Sequence, residues 1–171
     1  PINEPIANMV VDVGGGTAET ALISLGGIVS LRAVRVGSFD LDAAIITYIR
    51  REYGIAIGEQ TAEEIKMTIG SAERTDDEVC AEVRGRELMS GLPRTVVLTP
   101  EEVREAIAEP VSTMVDSVLS CLGEAPPELA QDLISQGINL VGGGALLKGL
   151  DIRIANASGV AVQMVRQPLE A

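Results

Sequence analysis

Two runs of three glycines, Gly14-Gly15-Gly16 and Gly142-Gly143-Gly144, each follow directly on a short apolar stretch. An apolar run of that length stopped by glycine reads as a buried strand entering a tight turn. Met9 to Val13 is the first such strand and Ile138 to Val141 the second. In Val10-Val11-Asp12-Val13 a carboxylate stands inside the strand, immediately before the turn. A buried acid is costly unless a cation or several N–H donors meet it. Consecutive glycines can turn their amides inward into a concave anion site that no Cβ obstructs, and Thr17 adds a hydroxyl at the rim. One reading is a phosphate-tail site in which Asp12 holds a hydrated Mg²⁺, an ion that keeps its waters and takes few carboxylates. The other is a tight turn whose own loop satisfies Asp12.

The second triplet reads as strand, turn and helix start, with a helix from Ala145 to about Ala157. Free N–H groups and the helix dipole favour an anion there, and glycine lets a flat ring or a phosphate lie on the backbone. Turns of this kind are also common as pure structure. Neither triplet forms G-x-x-x-x-G-K-[ST], nor G-x-G-x-x-G within a βαβ unit, which argues against a P-loop NTPase and a Rossmann dehydrogenase.

Between the triplets the pattern is mixed. Ala21 to Leu25 and Ile28 to Val36, split by Gly26-Gly27, read as a hairpin, giving three antiparallel strands in the first forty residues. Apolar spacing predicts a helix from Asp40 to Gly54, then one capped by Thr61 and Glu64 with Ile65, Ile69 and Met67 as its apolar side. Residues 75–85 and Arg94 to Leu98 read as strands joined through Gly91-Leu92-Pro93. Thr99-Pro100-Glu101-Glu102 combines an N-cap, proline at the first helical position and a carboxylate three residues on. Pro110 should kink or divide the helix it opens. Pro126-Pro127 opens a further helix ending at Gly137, and Val160 to Val165 is a final strand. Residues 39–103 are more charged than their flanks and carry their own helices and strands. They read as a smaller α+β domain inserted into a larger one formed by residues 1–38 and 104–171.

Composition removes whole classes of chemistry. Among 171 residues there is no His, so no imidazole base, Cys-His or Ser-His pair or His-ligated metal exists within the chain. Cys80 and Cys121 are too few for a disulfide framework and read as buried small hydrophobes in a reducing compartment. Thirteen basic against 25 acidic side chains give a formal charge of −12, which argues against nonspecific nucleic-acid binding and against docking on anionic lipid. No stretch reaches the ~20 apolar residues of a bilayer span. The chain starts at Pro1, without an initiator Met or signal peptide, and so reads as a piece of something longer. Glu63 and Lys66, three apart, share a helix face. They read either as a solvated pair or as a carboxylate for ribose hydroxyls with an alkyl-ammonium laid against a base.

Taken together these elements resemble the second half of an actin-fold ATPase, and within that superfamily the MreB-type bacterial actins. The resemblance rests on Met9 through Thr17, Ile23 through Val29, Thr61 through Lys66, Gly91-Leu92-Pro93, Pro126 through Leu129 running to Ile138, and Val141 through Asp151. It implies a ribonuclease H-like lobe with subdomain IIB inserted into IIA. It further implies ATP or ADP with Mg²⁺ as cofactors. Asp12 would hold the ion through water. Gly14, Gly15, Gly16 and Thr17 would grip the β- and γ-phosphates, with Thr17 also steering the attacking water. Glu63 and Lys66 would meet ribose and adenine, and Gly142, Gly143, Gly144 and Ala145 the adenine side. The implied parent is a slow ATPase that polymerises with itself in the cytoplasm, against the inner membrane, alongside the cell-elongation machinery. A lobe holding half of the clamp is expected to turn over little ATP alone. The chain departs from the family in having Gly37-Ser38-Phe39-Asp40 where Gly-Gly-Asp-like residues are usual. An Hsp70-like chaperone ATPase and a small-metabolite kinase of the same fold are the rival readings.

Overall fold

The structure, a computed structural model, describes residues 6–76 and 79–165. The outer ends of the stretches 1–38 and 104–171, and residues 77–78 of the expected strand 75–85, lie outside the described residues.

The three expected N-terminal strands form as β1 (Asn8–Val13), β2 (Ala18–Ser24) and β3 (Gly27–Val34), antiparallel in succession. Two later strands, β7 (Ile138–Val141) and β8 (Val162–Met164), extend the sheet by parallel pairing, in the order β3-β2-β1-β7-β8. The register sets Asp12 opposite Val141, so both glycine triplets leave the carboxyl ends of adjacent parallel strands. From there the chain departs in opposite directions, one way into β2 and the other towards β8. Clefts for ligands form at such divergence points.

A second sheet, β4-β5-β6, is built from Ile55–Ala56, Ala81–Glu87 and Pro93–Leu98. Helices α1 (Ser38–Tyr53) and α2 (Glu59–Ile69) precede most of it, and α3 (Pro100–Ala106) follows. Leu41, Ile45 and Ile49 of α1 and Ala62, Ile65 and Ile69 of α2 are buried at helical spacing, while Met67 is exposed. The expected Thr61 cap is not used. Gly58 caps α2 instead, accepting from the Ala62 N–H at 3.1 Å, so the helix starts two residues before Thr61. Among the described residues of the expected strand 75–85, pairing begins at Ala81, and Val79 is exposed outside it.

The Thr99 cap forms as read: Thr99 Oγ1 accepts from the Glu102 N–H, and a Glu102 carboxylate oxygen accepts from the Thr99 N–H at 2.9 Å. Pro110 does divide the helix it follows. A proline ring obstructs the carbonyl four residues earlier, here that of Ala106, and the break falls at Ile107 (φ −90°, ψ 3°) between α3 and α4 (Ala108–Gly123). Helix α5 spans Pro127–Gln136 and α6 Leu150–Ser158. The helix expected from Ala145 begins five residues late. Gly143–Leu146 is a single 3₁₀ turn, and the chain turns again at Gly149 (φ +74°) before α6 starts. Cys121 is buried against the Thr20 carbonyl, whereas Cys80 is exposed, so the reading of both as buried holds for one only.

Candidate functional site

At the end of β1, Val11 and Val13 point into the core and Asp12, between them, faces the other way and is exposed. The expectation of a buried acid is thereby corrected: strand alternation puts the carboxylate at an open corner, where no desolvation has to be compensated. That corner faces the second triplet. A Cβ on Gly142 would sit 2.3 Å from Asp12 Oδ1 and 2.4 Å from the Val13 carbonyl oxygen; one on Gly144 would sit 2.4 Å from Val13 Cγ1. With φ +88° as well, position 142 admits only glycine. The two turns therefore interlock, and absent side chains are what lets them.

The first turn is held from behind. Gly14 N–H bonds to the Thr17 carbonyl at 2.8 Å, closing the turn on itself. The first two N–H groups of α1 then take its carbonyls, Ser38 to Gly14 at 3.0 Å and Phe39 to Gly15 at 2.8 Å. The positive end of α1 is thus spent on loop carbonyls. Among the described residues, the N–H groups of Gly15 and Gly16 have no hydrogen-bond partner. Gly16 and Thr17 are exposed, and a Cβ on Gly16 would meet nothing within 4 Å. Two partnerless amides, that of Gly16 on exposed backbone, beside an exposed carboxylate and a hydroxyl suit an anionic tail carrying its own cation.

Beyond the second turn lies a cleft of about 340 Å³ bordered by Ser38, Glu63, Lys66, Met67, Gly143 and Gly144, among others. That volume is at the lower end for small-molecule pockets. Lys148, which also borders the cleft, accepts from the Ala72 N–H at its carbonyl at 2.8 Å and donates from Nζ to the Thr68 carbonyl at 3.1 Å. Glu63 is exposed on its rim; Lys66, from the same face of α2, is buried. The structure therefore brings Glu63, Lys66, Gly143 and Gly144 to one cavity, and Asp12 with Gly14–Thr17 to the neighbouring corner. Ala145 is fully buried beneath the turn with its N–H bonded to the Gly142 carbonyl at 3.2 Å, so its side chain offers the cleft nothing. The 3₁₀ turn also means that the triplet does not open a long helix, and the dipole argument made for it lapses.

Lys66 has a different partner from the one its spacing suggested. Its ammonium bonds Ser38 Oγ at 2.7 Å, the Ser38 carbonyl at 3.2 Å and Asp42 Oδ2 at 2.9 Å. Asp42 Oδ1 is also 2.9 Å away, but only the approach to Oδ2 has hydrogen-bonding geometry, which leaves Oδ1 without a hydrogen-bond partner. All three Lys66 donors are used, so what remains for the cleft is its methylene stem. Sequence reasoning missed Ser38 and Asp42. The available signal was that Asp42 stands three residues before Ile45 and seven before Ile49, an apolar-face position taken by an acid.

Among the described residues no group of three acids or cysteines converges on one point. A divalent ion at Asp12 would therefore be held by one carboxylate, water and a ligand's own oxygens. No described helix is long and apolar enough to cross a membrane.

The family described as MreB/Mbl protein matches residues 1–171. The cell shape-determining protein MreB of Escherichia coli (strain K12) is 47% identical over 169 residues, covering 99% of this chain and 49% of that protein. Mbl of Bacillus subtilis (strain 168), also described as cell shape-determining, is 41% identical over 171 residues and is covered to 51%. The chain thus spans about half the length of the curated relatives it matches. Among solved structures, MreB5 of Spiroplasma citri bound to ADP superposes with a TM-score of 0.95 at 37% identity, over 99% of this chain and 51% of that one. The same protein bound to AMPPNP gives 0.91. A MamK double helical filament, at 19% identity and TM-score 0.77, shares the fold.

Proposed function

The chain belongs to the MreB/Mbl family of cell shape-determining actin homologues, and from that premise we propose that it is the nucleotide-facing second lobe of an ATP-binding, filament-forming bacterial actin. In this reading residues 1–38 and 104–171 are subdomain IIA and residues 39–103 the inserted IIB. The observation that carries the nucleotide site is the juxtaposition of the two glycine turns, with Asp12 against Gly142 and the Glu63–Lys66 face of α2 across the cleft from Gly143 and Gly144. A relative at 37% identity, solved with ADP and with AMPPNP, supports it.

The residues fit the ligand in kind. The partnerless amides of Gly15 and Gly16 would receive phosphate oxygens, and the Thr17 hydroxyl would lie at their rim. Glu63 would accept from ribose hydroxyls. The bare backbone of Gly143 and Gly144 and the Lys66 stem would take the flat base. Mg²⁺, held by Asp12 through water, would supply charge neutralisation to the phosphates. Phosphoryl transfer depends on positioning and electrostatics from both sides of the phosphate chain. One lobe provides one side, so this chain binds nucleotide weakly and turns it over negligibly alone, while the intact protein hydrolyses ATP slowly and polymerises. Its filaments, in the cytoplasm and against the inner membrane, organise cell-wall elongation.

Electron microscopy of the intact protein with and without ATP tests this directly. Ordered double filaments with ATP are expected. Single particles under every condition, together with ATP-dependent phosphorylation of a small metabolite, would instead return the kinase reading.

A further inference from the structure

Ser38 stands between the two ends of the site. Its N–H holds the Gly14 carbonyl of the first turn at 3.0 Å, while its own carbonyl and hydroxyl hold Lys66 of the cleft at 3.2 and 2.7 Å. Asp42, one helical turn further along α1, completes the set on Lys66 at 2.9 Å. Lys66 and Asp42 are both nine-tenths buried, so these bonds lie where the dielectric is low and their geometry is firmly held.

We propose that Ser38 is a positioning residue that couples the phosphate end of the nucleotide site to its base end, with Asp42 fixing the ammonium through which the coupling passes. This rests on the nucleotide reading above and adds a thermodynamic claim to it. A polyphosphate seated on the Gly14–Thr17 turn bears on Ser38 through the Gly14 carbonyl. Ser38 fixes the Lys66 stem, and the base then meets a wall already in place. Linkage requires the reverse effect to be equal. A glycine at position 38 could hold the turn through its N–H, but would offer Lys66 only a carbonyl.

Adenosine and tripolyphosphate, the two halves of the ligand, separate coupling from affinity. Adenosine binding to the intact protein is measured by calorimetry with and without saturating magnesium tripolyphosphate. The wild type is expected to bind adenosine about fivefold or more tightly when the polyphosphate is present, the lower end of ordinary coupling. Ser38→Ala keeps the backbone bond to Gly14 and should reduce the factor to within about twofold of one, while Ser38→Thr, which retains the hydroxyl, restores it. Asp42→Asn should lower it likewise. A merely structural role would change the melting temperature or both affinities and leave the factor alone. Wild-type coupling in Ser38→Ala, or two halves that bind the wild type independently, would overturn the proposal while the nucleotide site stands. Binding of neither half by the wild type would remove that site and the coupling with it.

Discussion

Replacing Gly142 by alanine probes the contact on which the site is built. The residue sits at φ +88°, ψ 164°, a region that is essentially glycine's own, and an L-residue held there costs about 1–3 kcal/mol. The new methyl would also lie 2.3 Å from Asp12 Oδ1, 2.4 Å from the Val13 carbonyl oxygen and 2.8 Å from its carbon. The side chain of Asp12 can swing away, but the Val13 carbonyl belongs to the central strand. Relief therefore means separating β1 from β7 locally, an overpacking penalty of about 1–3 kcal/mol. Together the two effects predict a loss of roughly 2–6 kcal/mol, a large share of the ~5–15 kcal/mol that stabilises an ordinary domain. Gly16→Ala is the matched control: its Cβ meets nothing within 4 Å and its φ is not positive, so stability should stay within about 0.5–1 kcal/mol of wild type. Urea denaturation followed by circular dichroism measures both. Equal stability of Gly142→Ala and wild type would refute the interlocking of the turns.

Other outcomes follow from the pairs described. Asp42→Ala strands the buried Lys66 ammonium and should cost about 3–5 kcal/mol in urea melts, whereas Asp42→Leu with Lys66→Met should recover most of it; a double variant no better than the single would contradict a buried ion pair. The Tyr53 hydroxyl donates to Glu102 at 2.5 Å, and that bond, with burial second, pushes the phenol up to about 12. Stability from Tyr53 is therefore full below its unfolded value of about 10 and lost as pH rises towards the folded one. Tyr53→Phe should flatten this alkaline limb and cost about 1 kcal/mol at neutral pH. Burial pushes the Glu102 carboxyl up, but bonds from Tyr53 and Thr99 outweigh it and leave it below its ordinary value. Its contribution is present above the unfolded value and fades as pH falls through the lowered one, so Glu102→Gln should blunt the acid loss of stability in a pH series.

What the sequence disclosed was mostly local. The Thr99 capping box, the division imposed by Pro110 and the hairpin at Gly26-Gly27 each depend on a few adjacent residues, and each formed. The positions of the two glycine turns were legible for the same reason. Their mutual contact was not, since residues 128 apart meet only through the parallel pairing of β1 with β7 (142 − 14 = 128). A carboxylate inside an apolar run reads as buried, yet strand alternation sets Asp12 opposite to the buried Val11 and Val13 and leaves it exposed. The late start of α6 has a visible cause in Gly149, whose left-handed backbone interrupts the helix expected from Ala145. The pairing of Lys66 lay beyond local reasoning, because its partners Ser38 and Asp42 belong to another helix, 28 and 24 residues away, although Asp42 stood out as an acid on an apolar face.

Calorimetric titration of Mg-ATP into the intact protein and its Asp12→Ala variant tests the central claim most directly, because Asp12 is exposed and its removal should leave the melting temperature within about 1–2 °C of wild type. The account predicts at least a tenfold loss of Mg-ATP affinity, about 1.4 kcal/mol, with a smaller loss for adenosine. Unchanged Mg-ATP affinity in a folded Asp12→Ala protein would contradict it.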